Sequence, residues 1–271
     1  MRIEFRKLFN RLEFYILFTI GLILAFLSLV DKTMANPFSS FANAPSAFQA
    51  AMIYGGSFSE FFSVIFLPVL AVLPYVDQYY SEKYWGVLAC EITRQSRTEF
   101  FLKKATVVWI TSVVSIFAIY VLNQIYCLIA YPVTQTRTYL TGSIYDQYLN
   151  TEILHTPTPG LYMNSPFLLN IAHIFFACFY GGAVALSGFA LSLYICINKA
   201  ITNLLPVGIF LIYTFIGLSL FGATFAPALA IIASPVYTIT SLLPSIIFVC
   251  AVYIVSILAV ILKSSRFRDI I

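Results

Sequence analysis

Charge-free apolar runs divide this chain into segments long enough to cross a lipid bilayer. The longest run covers 63 residues (200–262), between Lys199 and Lys263. Charged residues make up only 10% of the chain and hydrophobic residues 61%, with a mean hydropathy of +0.91, whereas a soluble protein has about 25% charged residues. The composition therefore excludes a water-soluble globule and predicts an all-α integral membrane protein.

Six membrane-spanning helices fit the chain as a single transmembrane domain, residues 1–271, because each crossing needs roughly 20 apolar residues. Ser57 and Glu60 have the spacing of a capping box before the second span, and Ser165 with Pro166 is a typical start for the fourth. The predicted spans are 14–30, 57–76, 105–131, 165–197 and two more inside 200–262.

Prolines are expected to interrupt two of these segments. Pro68 and Pro74 should kink the second span. The run 200–262 is longer than two spans need, and its surplus residues, Gly222 to Leu243, lie among the prolines at 227, 235 and 244. This pattern favours an outward re-entrant hairpin of half-helices between the fifth and sixth spans.

Basic residues concentrate on one predicted side of the membrane. With six spans and both termini on the same side, that side holds 13 of the 15 Lys and Arg residues, and only Lys32 and Arg137 lie opposite. Since short cytoplasmic loops hold the excess of Lys and Arg, we predict that both termini are cytoplasmic. The thirteen residues are Arg2, Arg6, Lys7, Arg11, Lys83, Arg94, Arg97, Lys103, Lys104, Lys199, Lys263, Arg266 and Arg268.

The first thirteen residues, 1–13, have an amphipathic pattern. Apolar side chains fall at positions i, i+3, i+4 and i+7: Phe5, Leu8, Phe9 and Leu12. This predicts an interfacial helix on the cytoplasmic leaflet, with its basic side chains near anionic headgroups. The alternative is the basic region of a signal peptide, but a charged pair, Asp31-Lys32, follows the apolar run where a small-residue cleavage site would be needed.

Segment 77–104, between the second and third spans, combines charged residues, aromatics and a helix-start signal. A short helix is predicted from about Glu82 to Ile92, with a break at residues 93–95, because four residues share one helical face: Tyr84, Trp85, Leu88 and Ile92. Ser96 and Glu99 form a second capping box that starts the third span. The alternative is an interfacial helix whose aromatics rest at headgroup level.

The residue order in this loop resembles the coupling-helix motif of the permease subunits of type-2 ABC transporters. That family has an acidic residue, a glycine, a hydrophobic patch, a serine-arginine pair and a lysine at the start of the third span. The matching residues are Glu82, Gly86, Val87, Leu88, Ser96, Arg97 and Lys104. The proline that often precedes the serine-arginine pair is absent, and Arg94-Gln95 stands in its place.

The resemblance implies a permease subunit of a bacterial plasma-membrane ABC exporter that forms a dimer with a second permease copy, identical or sister. A separate ABC ATPase would bind ATP and Mg, because this chain has no G-x-x-x-x-G-K-[ST] loop, so the chain itself is predicted not to be an enzyme. Its partners would be that ATPase, the second permease and the lipid bilayer, without nucleic acid. The ATPase-coupling residues would be Glu82, Tyr84, Trp85, Gly86, Leu88, Glu91, Ile92, Arg97 and Lys104.

In this reading Trp85, Leu88 and Ile92 would be buried in the ATPase cleft, and Glu82, Glu91 and Arg97 would pair with charges at its rim. The cargo is expected to be amphipathic or hydrophobic, such as a peptide, a lipid-linked molecule or an antimicrobial compound. Export is favoured over import because nothing in the sequence suggests docking of a substrate-delivery protein. The extracytoplasmic loop 132–165, rich in tyrosine, could gate the exit, recognise cargo or only cap the spans.

A few polar residues are weaker candidates for the substrate path. Glu60 would be costly near the bilayer, but its capping position also explains it, and His173 lies alone within the fourth span. Asn123 and Gln124 are expected to bond neighbouring helices. The cysteines form no C-x-x-C pair, so no metal site is predicted.

Two other classes of protein fit the sequence less well than a permease does. An intramembrane enzyme could use Ser187 and His173, but fourteen residues of helix separate them by about 21 Å, so they cannot form a dyad. An ion-driven secondary transporter usually has acidic residues at mid-membrane, and no predicted span has one at its centre.

Overall fold

The fold is known from a computed structural model, which describes residues 2–35, 46–48, 50–54, 57–88, 96–133, 165–195, 198–232 and 241–266. All regular secondary structure in these ranges is helical. The α-helices are α1 Arg2–Phe9, α2 Leu12–Ala35, α3 Ser57–Phe61, α4 Leu67–Val72, α5 Gln78–Tyr84, α6 Arg97–Ala130, α7 Pro166–Tyr194, α8 Lys199–Phe221, α9 Pro227–Ala230 and α10 Leu243–Arg266.

Five of the described helices are long and apolar enough to cross a bilayer: α2, α6, α7, α8 and α10. They support the prediction of an all-α, multi-pass membrane protein. Their starts agree with the capping residues seen in the sequence, since α6 follows Ser96 and α7 follows Ser165. The Ser96 hydroxyl donates to the Glu99 carboxylate at 3.3 Å, and its oxygen accepts no backbone N–H of the first turn, so the expected capping bond from Ser96 is not formed.

The second predicted span is shorter and less regular than expected. It consists of α3, a π-helical turn at Phe62–Phe66 and α4, and its apolar helical stretch is Phe58–Val72. Fifteen residues rise only about 22 Å, against a hydrocarbon core of about 30 Å. The predicted end at residue 76 is therefore wrong, because the helix gives way to a turn at 73–77, which contains Pro74.

The π-helical turn lies immediately before Pro68. The Leu67 N–H donates to the carbonyl of Phe62, five residues back, and the next residue, Pro68, has no N–H to give. A π turn inserts one extra residue per turn and so changes which side chains face the core beyond it. The proline predicted to disturb this span thus stands at its irregular point.

Helix α7 is the centre of the bundle. It packs against α4, α6, α8 and α10, and most of its apolar residues from Ala177 to Leu193 are buried. Two glycines permit this close packing: a Cβ on Gly181 would lie 2.0 Å from Ile116 Cδ1, and one on Gly182 would lie 2.5 Å from the Tyr253 hydroxyl. Three of the other long helices, α6, α8 and α10, thus pack on α7, and the fourth, α2, packs on α6.

Both terminal helices reach the same end of the bundle. Glu4 of α1 contacts Lys104 near the start of α6, and Ser264 near the end of α10 donates to Thr98 Oγ1 at 3.3 Å. We call this the basic end, because Lys7, Arg11, Lys104, Lys199 and Lys263 lie there; Lys32 lies at the opposite end, near Cys127. The described residues thus agree with the predicted separation of basic residues.

The chain after α8 turns sharply at Gly222, whose φ is +81°. A 3-10 turn at Ala223–Phe225 and the buried helix α9 follow. These short segments occupy the first part of the predicted hairpin 222–243, and residues 233–240 lie outside the described residues. Most of the predicted outer loop, residues 134–164, lies outside them as well.

Candidate functional site

Lys104 is a charged side chain buried inside the basic end. It is 1% exposed, its ammonium pairs with Glu82 of α5, and it lies 3.4 Å from Glu4 Oε2 of α1. An unpaired charge at such a depth would carry a large desolvation cost. The two carboxylates offset that cost, and in doing so they tie α1, α5 and α6 together.

Glu82 has further partners within the chain. Its Oε1 accepts from Lys7 Nζ at 3.0 Å and from Gln78 Nε2 at 2.5 Å. Glu4 in turn accepts a hydrogen bond of 2.6 Å from the Tyr75 hydroxyl. The carboxylates therefore have charged or hydrogen-bonding donors around them, as buried acids require.

A second group of ion pairs joins α8 to the same region. Asp77 accepts from Arg11 Nη1 at 2.8 Å and lies 3.2 Å from Lys199 Nζ at the start of α8. Lys199 also lies 2.8 Å from Glu13 of α2, and the Arg11 guanidinium lies 5.3 Å from the centre of the Tyr75 ring. Together the two groups form the charged cluster: Glu4, Lys7, Arg11, Glu13, Tyr75, Asp77, Gln78, Glu82, Lys104 and Lys199.

Glu4 keeps its charge at neutral pH despite its burial. Burial on its own raises the pKa of this carboxyl, but Lys104, the Tyr75 hydroxyl and Lys7 more than offset that effect. The pKa of Glu4 consequently lies below its ordinary value of 4.5. The link between α1 and the rest of the cluster is thus an ionic one under physiological conditions.

An exposed aromatic corner lies directly beside this buried cluster. Helix α5 ends at Tyr84, Trp85 follows, and Gly86 turns the chain with a φ of +70°. Tyr84 is 72% exposed and Trp85 75% exposed, and their rings meet edge to face at 5.6 Å. The same short helix thus presents Glu82 to the interior and Tyr84-Trp85 to the outside. We call Tyr84, Trp85 and Gly86 the aromatic corner.

The helix predicted from Glu82 to Ile92 is interrupted at Trp85 and Gly86. The helix is Gln78–Tyr84, it ends at the positive-φ Gly86, and residues 87 and 88 are helical again. Glu91 and Ile92 lie outside the described residues. The aromatic residues, predicted in the first turn of a helix, therefore lie at the end of one.

Several predicted coupling residues face inward rather than outward. Glu82 is only 5% exposed and does not lie at a rim, because its carboxylate is held by Lys104 and Lys7. Leu88 is 8% exposed and packs in the main hydrophobic core, so it is not an accessible anchor. Arg97 is half-buried at the start of α6.

The two substrate-path candidates lie far from the cluster along the helices. His173 of α7 is buried, and its Nδ1 lies 2.8 Å from the carbonyl of Ile231, just after α9. Glu60 of α3 is half-buried. The histidine contact joins α7 to the chain that follows α8, which is the structural role that a lone histidine in a span most often has.

Asn123 and Gln124 bond neighbouring segments, as predicted. Asn123 Nδ2 donates to the carbonyl of Ala25 at 2.9 Å, and its Oδ1 accepts from the N–H of Met52 at 2.8 Å. Gln124 Oε1 accepts from Asn170 of α7 at 2.9 Å. These bonds fasten the opposite end of the bundle.

Most of the charged cluster was missed from the sequence. Lys7 and Arg11 were assigned to lipid headgroups, yet they pair with Glu82 and Asp77. The usable signal was Asp77, an acid directly after an apolar span and close to several basic residues. The pairing itself could not be predicted from the residue pattern, because it depends on how α1 folds back against α5 and α6.

Among the described residues no group of three or more His, Cys, Asp and Glu side chains is placed to hold a metal ion. Comparisons with protein-family models, curated proteins and solved structures found no match for this chain.

Proposed function

We propose that this chain is the permease subunit of a type-2 ABC exporter and that a separate ATPase binds at its basic end. The observation that carries the proposal is the aromatic corner: two exposed aromatic rings on a short helix whose other face is fixed by buried ion pairs. Such a surface can bind a partner protein and transmit the partner's movement to the helices behind it. The loop motif around Glu82, Gly86 and Lys104 supports the same family.

The charged cluster supplies the mechanical link. Glu82 connects α5 to α6 through Lys104 and to α1 through Lys7, and Asp77 connects the start of α5 to α8 through Lys199. When nucleotide binding closes the ATPase subunits, a push on Trp85 is passed to these helices as a rigid-body shift. The cluster thus transmits a force on the aromatic corner to three helices, α1, α6 and α8.

The partner surface expected for the aromatic corner is an apolar cleft. Exposed tryptophan and tyrosine lose large apolar areas on binding and commonly act as hot spots, worth about 2 kcal/mol or more each. Lys83 lies between the buried Glu82 and the corner and is exposed, so an acidic rim on the ATPase would complement it. In this proposal ATP and Mg bind to that partner, which carries out the hydrolysis.

The full assembly in this proposal contains two permease chains in a bacterial plasma membrane. Each has six crossings, a re-entrant hairpin at residues 222–243 and both termini in the cytoplasm. The cargo is an amphipathic or hydrophobic molecule that passes between the two permeases toward the outside. The large apolar side chains exposed on the outer faces of the long helices support that class of cargo over a small ion.

A pulldown with corner variants tests the proposal. The chain is purified in mild detergent from its native membrane, as wild type and with Tyr84→Ala and Trp85→Ala combined. We expect an ATP-binding subunit to copurify with the wild type and to be lost, or reduced at least tenfold, in the double variant. Two hot-spot aromatics at about 2 kcal/mol each exceed the 1.4 kcal/mol that a tenfold change requires.

The matched control is Tyr15→Ala, which truncates a 54% exposed aromatic on α2, away from the corner. It should leave the ATPase bound. If no ATP-binding subunit copurifies with the wild type, the permease proposal fails. If the subunit stays bound to the double variant, the corner is not its docking site.

A further inference from the structure

An apolar groove runs along the outside of the bundle between α8 and α10, with α7 as its floor. Its volume is about 490 Å³, within the range of small-molecule pockets, roughly 300–1,000 Å³. Side chains from all three helices line it: Tyr194, Ile209, Phe210, Val252, Val255 and Ala259. Because Ile209 and Val255 are also exposed on the outer surface, the groove opens sideways into the lipid.

The groove is closed at one end and reaches the basic end at the other. The rings of Tyr213 on α8 and Phe248 on α10 stack at 3.8 Å with planes 8° apart, and they bridge the two helices. From Phe248 to Ala259 the groove follows eleven residues of helix, about 17 Å. Half of a hydrocarbon core is about 15 Å, so one lipid tail fits along its length.

A lysine lies where the groove meets the basic end. Lys263 is one turn beyond Ala259 on α10, and its ammonium lies 5.1 Å from the centre of the Tyr194 ring, which lines the groove. Within the described residues Lys263 makes no ion pair, unlike Lys7, Lys104 and Lys199. Tyr194 is held in place because its hydroxyl donates to the carbonyl of Ala259 at 2.8 Å.

We propose that this groove is a binding site for an anionic phospholipid of the leaflet at the basic end. One acyl chain lies between α8 and α10 with its tip at the Tyr213–Phe248 pair, and the phosphate lies at Lys263. The positive charge of Lys263 at the mouth of the groove favours an anionic headgroup over a zwitterionic one. The inference does not depend on the proposed transport function.

A second groove on the other side of α10 provides an internal comparison. It is lined by Thr106, Trp109, Phe179, Cys250, Tyr253 and Ile254 and has a volume of about 580 Å³. The lysine at that side of the basic end, Lys103, is already paired with Glu99 at 2.7 Å. The two grooves are therefore similar in size and apolarity, and they differ in that Lys263 has no acidic partner among the residues that the structure describes.

Native mass spectrometry of the purified full chain in mild detergent tests the site. The probes are phosphatidylglycerol and phosphatidylcholine with identical palmitoyl and oleoyl tails, supplied in equal amounts. We expect the wild type to retain phosphatidylglycerol about fivefold better, the preference expected from one lysine near an anionic headgroup. Lys263→Gln should reduce this ratio to about one.

Filling the groove should remove binding of both lipids. Ala251→Phe and Val255→Phe each place a ring into the groove from exposed positions, so two independent variants guard against misfolding of one. Ile254→Phe fills the second groove and Lys83→Gln removes a different exposed lysine at the same end; both should behave as wild type. The inference is overturned if the wild type shows no headgroup preference, if Lys263→Gln retains it, or if both filling variants bind lipid as the wild type does.

Discussion

Lys104 illustrates at the scale of single residues how a basic side chain in a membrane protein can be structural. The sequence placed it among lysines near the bilayer surface, yet it is enclosed by α1, α5 and α6 with two carboxylates around its ammonium. The net contribution of such a buried ion pair to stability is small, but removing the lysine leaves buried carboxylate charge uncompensated and therefore costs several kcal/mol.

We expect Lys104→Met to destabilise the protein by about 3–5 kcal/mol, because it removes the buried cation from Glu82 and Glu4 and leaves them only the more exposed Lys7. Thermal unfolding of the purified protein in detergent measures the effect. The matched control is Lys103→Met, which removes the neighbouring lysine from a half-exposed pair with Glu99 and should cost much less. Adding Glu82→Gln to Lys104→Met should recover part of the loss. Equal unfolding temperatures for the two lysine variants would contradict a structural role for Lys104.

Gly86 is the residue that sets the direction of the aromatic corner. Its φ of +70° is favourable for glycine and costs other residues roughly 1–2 kcal/mol. A Cβ at this position would meet no atom within 4 Å, so Gly86→Ala changes only the backbone preference. We expect that variant to lower stability by about 1 kcal/mol and to weaken ATPase copurification by shifting Trp85.

Gly208 of α8 is the matched control for that substitution. A Cβ there also meets nothing within 4 Å, but the backbone is helical, and alanine is favoured over glycine in a helix by about 1 kcal/mol. Gly208→Ala should leave stability unchanged or raise it. If both alanine variants behave alike in thermal unfolding, the strained turn is not what positions the corner.

At the scale of elements, α1 is a short helix held to the bundle by charges as well as by Leu8. A helix of eight residues has little stability of its own. It remains in place because Glu4 and Lys7 reach the Lys104–Glu82 pair and because Arg11 reaches Asp77. The helix is therefore docked on protein through these contacts, while Phe9 and Leu12 remain exposed, and its position on the leaflet stays a prediction.

We predict that acidification loosens α1. The pKa of Glu4 is depressed in the folded protein, so its contribution is complete above its ordinary value of 4.5 and is lost as pH falls through the lower folded pKa. A spin label at Phe9→Cys, in a variant without native cysteines, should become more mobile below pH 4.5.

A label at Met34→Cys, exposed at the far end of α2, is the control and should not respond in that range. Glu4→Gln should already show a mobile α1 at neutral pH. A Phe9 label that is equally immobile at neutral and acidic pH would mean that apolar packing alone holds the helix.

At the scale of the whole molecule, the arrangement predicts which positions a membrane-impermeant thiol reagent can reach. Val133→Cys lies at the opposite end of the bundle and Ser265→Cys at the basic end, and both side chains are exposed. With cytoplasmic termini, Val133→Cys is labelled in intact cells and Ser265→Cys only after permeabilisation. The reverse pattern would invert the proposed orientation.

The sequence predicted the long helices well because each depends on local signals. Apolar length, Ser96 before α6 and Ser165-Pro166 before α7 were sufficient for them. It failed where the outcome depends on tertiary packing: Glu82 and Leu88 share the loop with Trp85, and only the docking of α1 and α6 decides which of them face inward. The end of α5 could not be predicted from the helical face shared by Tyr84, Trp85, Leu88 and Ile92. Gly86, which ends the helix with a positive φ, was the better indicator.

The central position of α7 has a consequence for how the molecule is made. The helices emerge from the ribosome in chain order, so α2, α3, α4 and α6 are synthesised before the helix on which the bundle is built. Until α7 has been inserted, Gln124 of α6 lacks its hydrogen-bond partner Asn170. The early spans must therefore remain in the lipid, or bound to an insertion chaperone, until α7 is inserted. Substitutions at Gly181 and Gly182 should impair biogenesis most, because these glycines let α6 and α10 pack closely against α7.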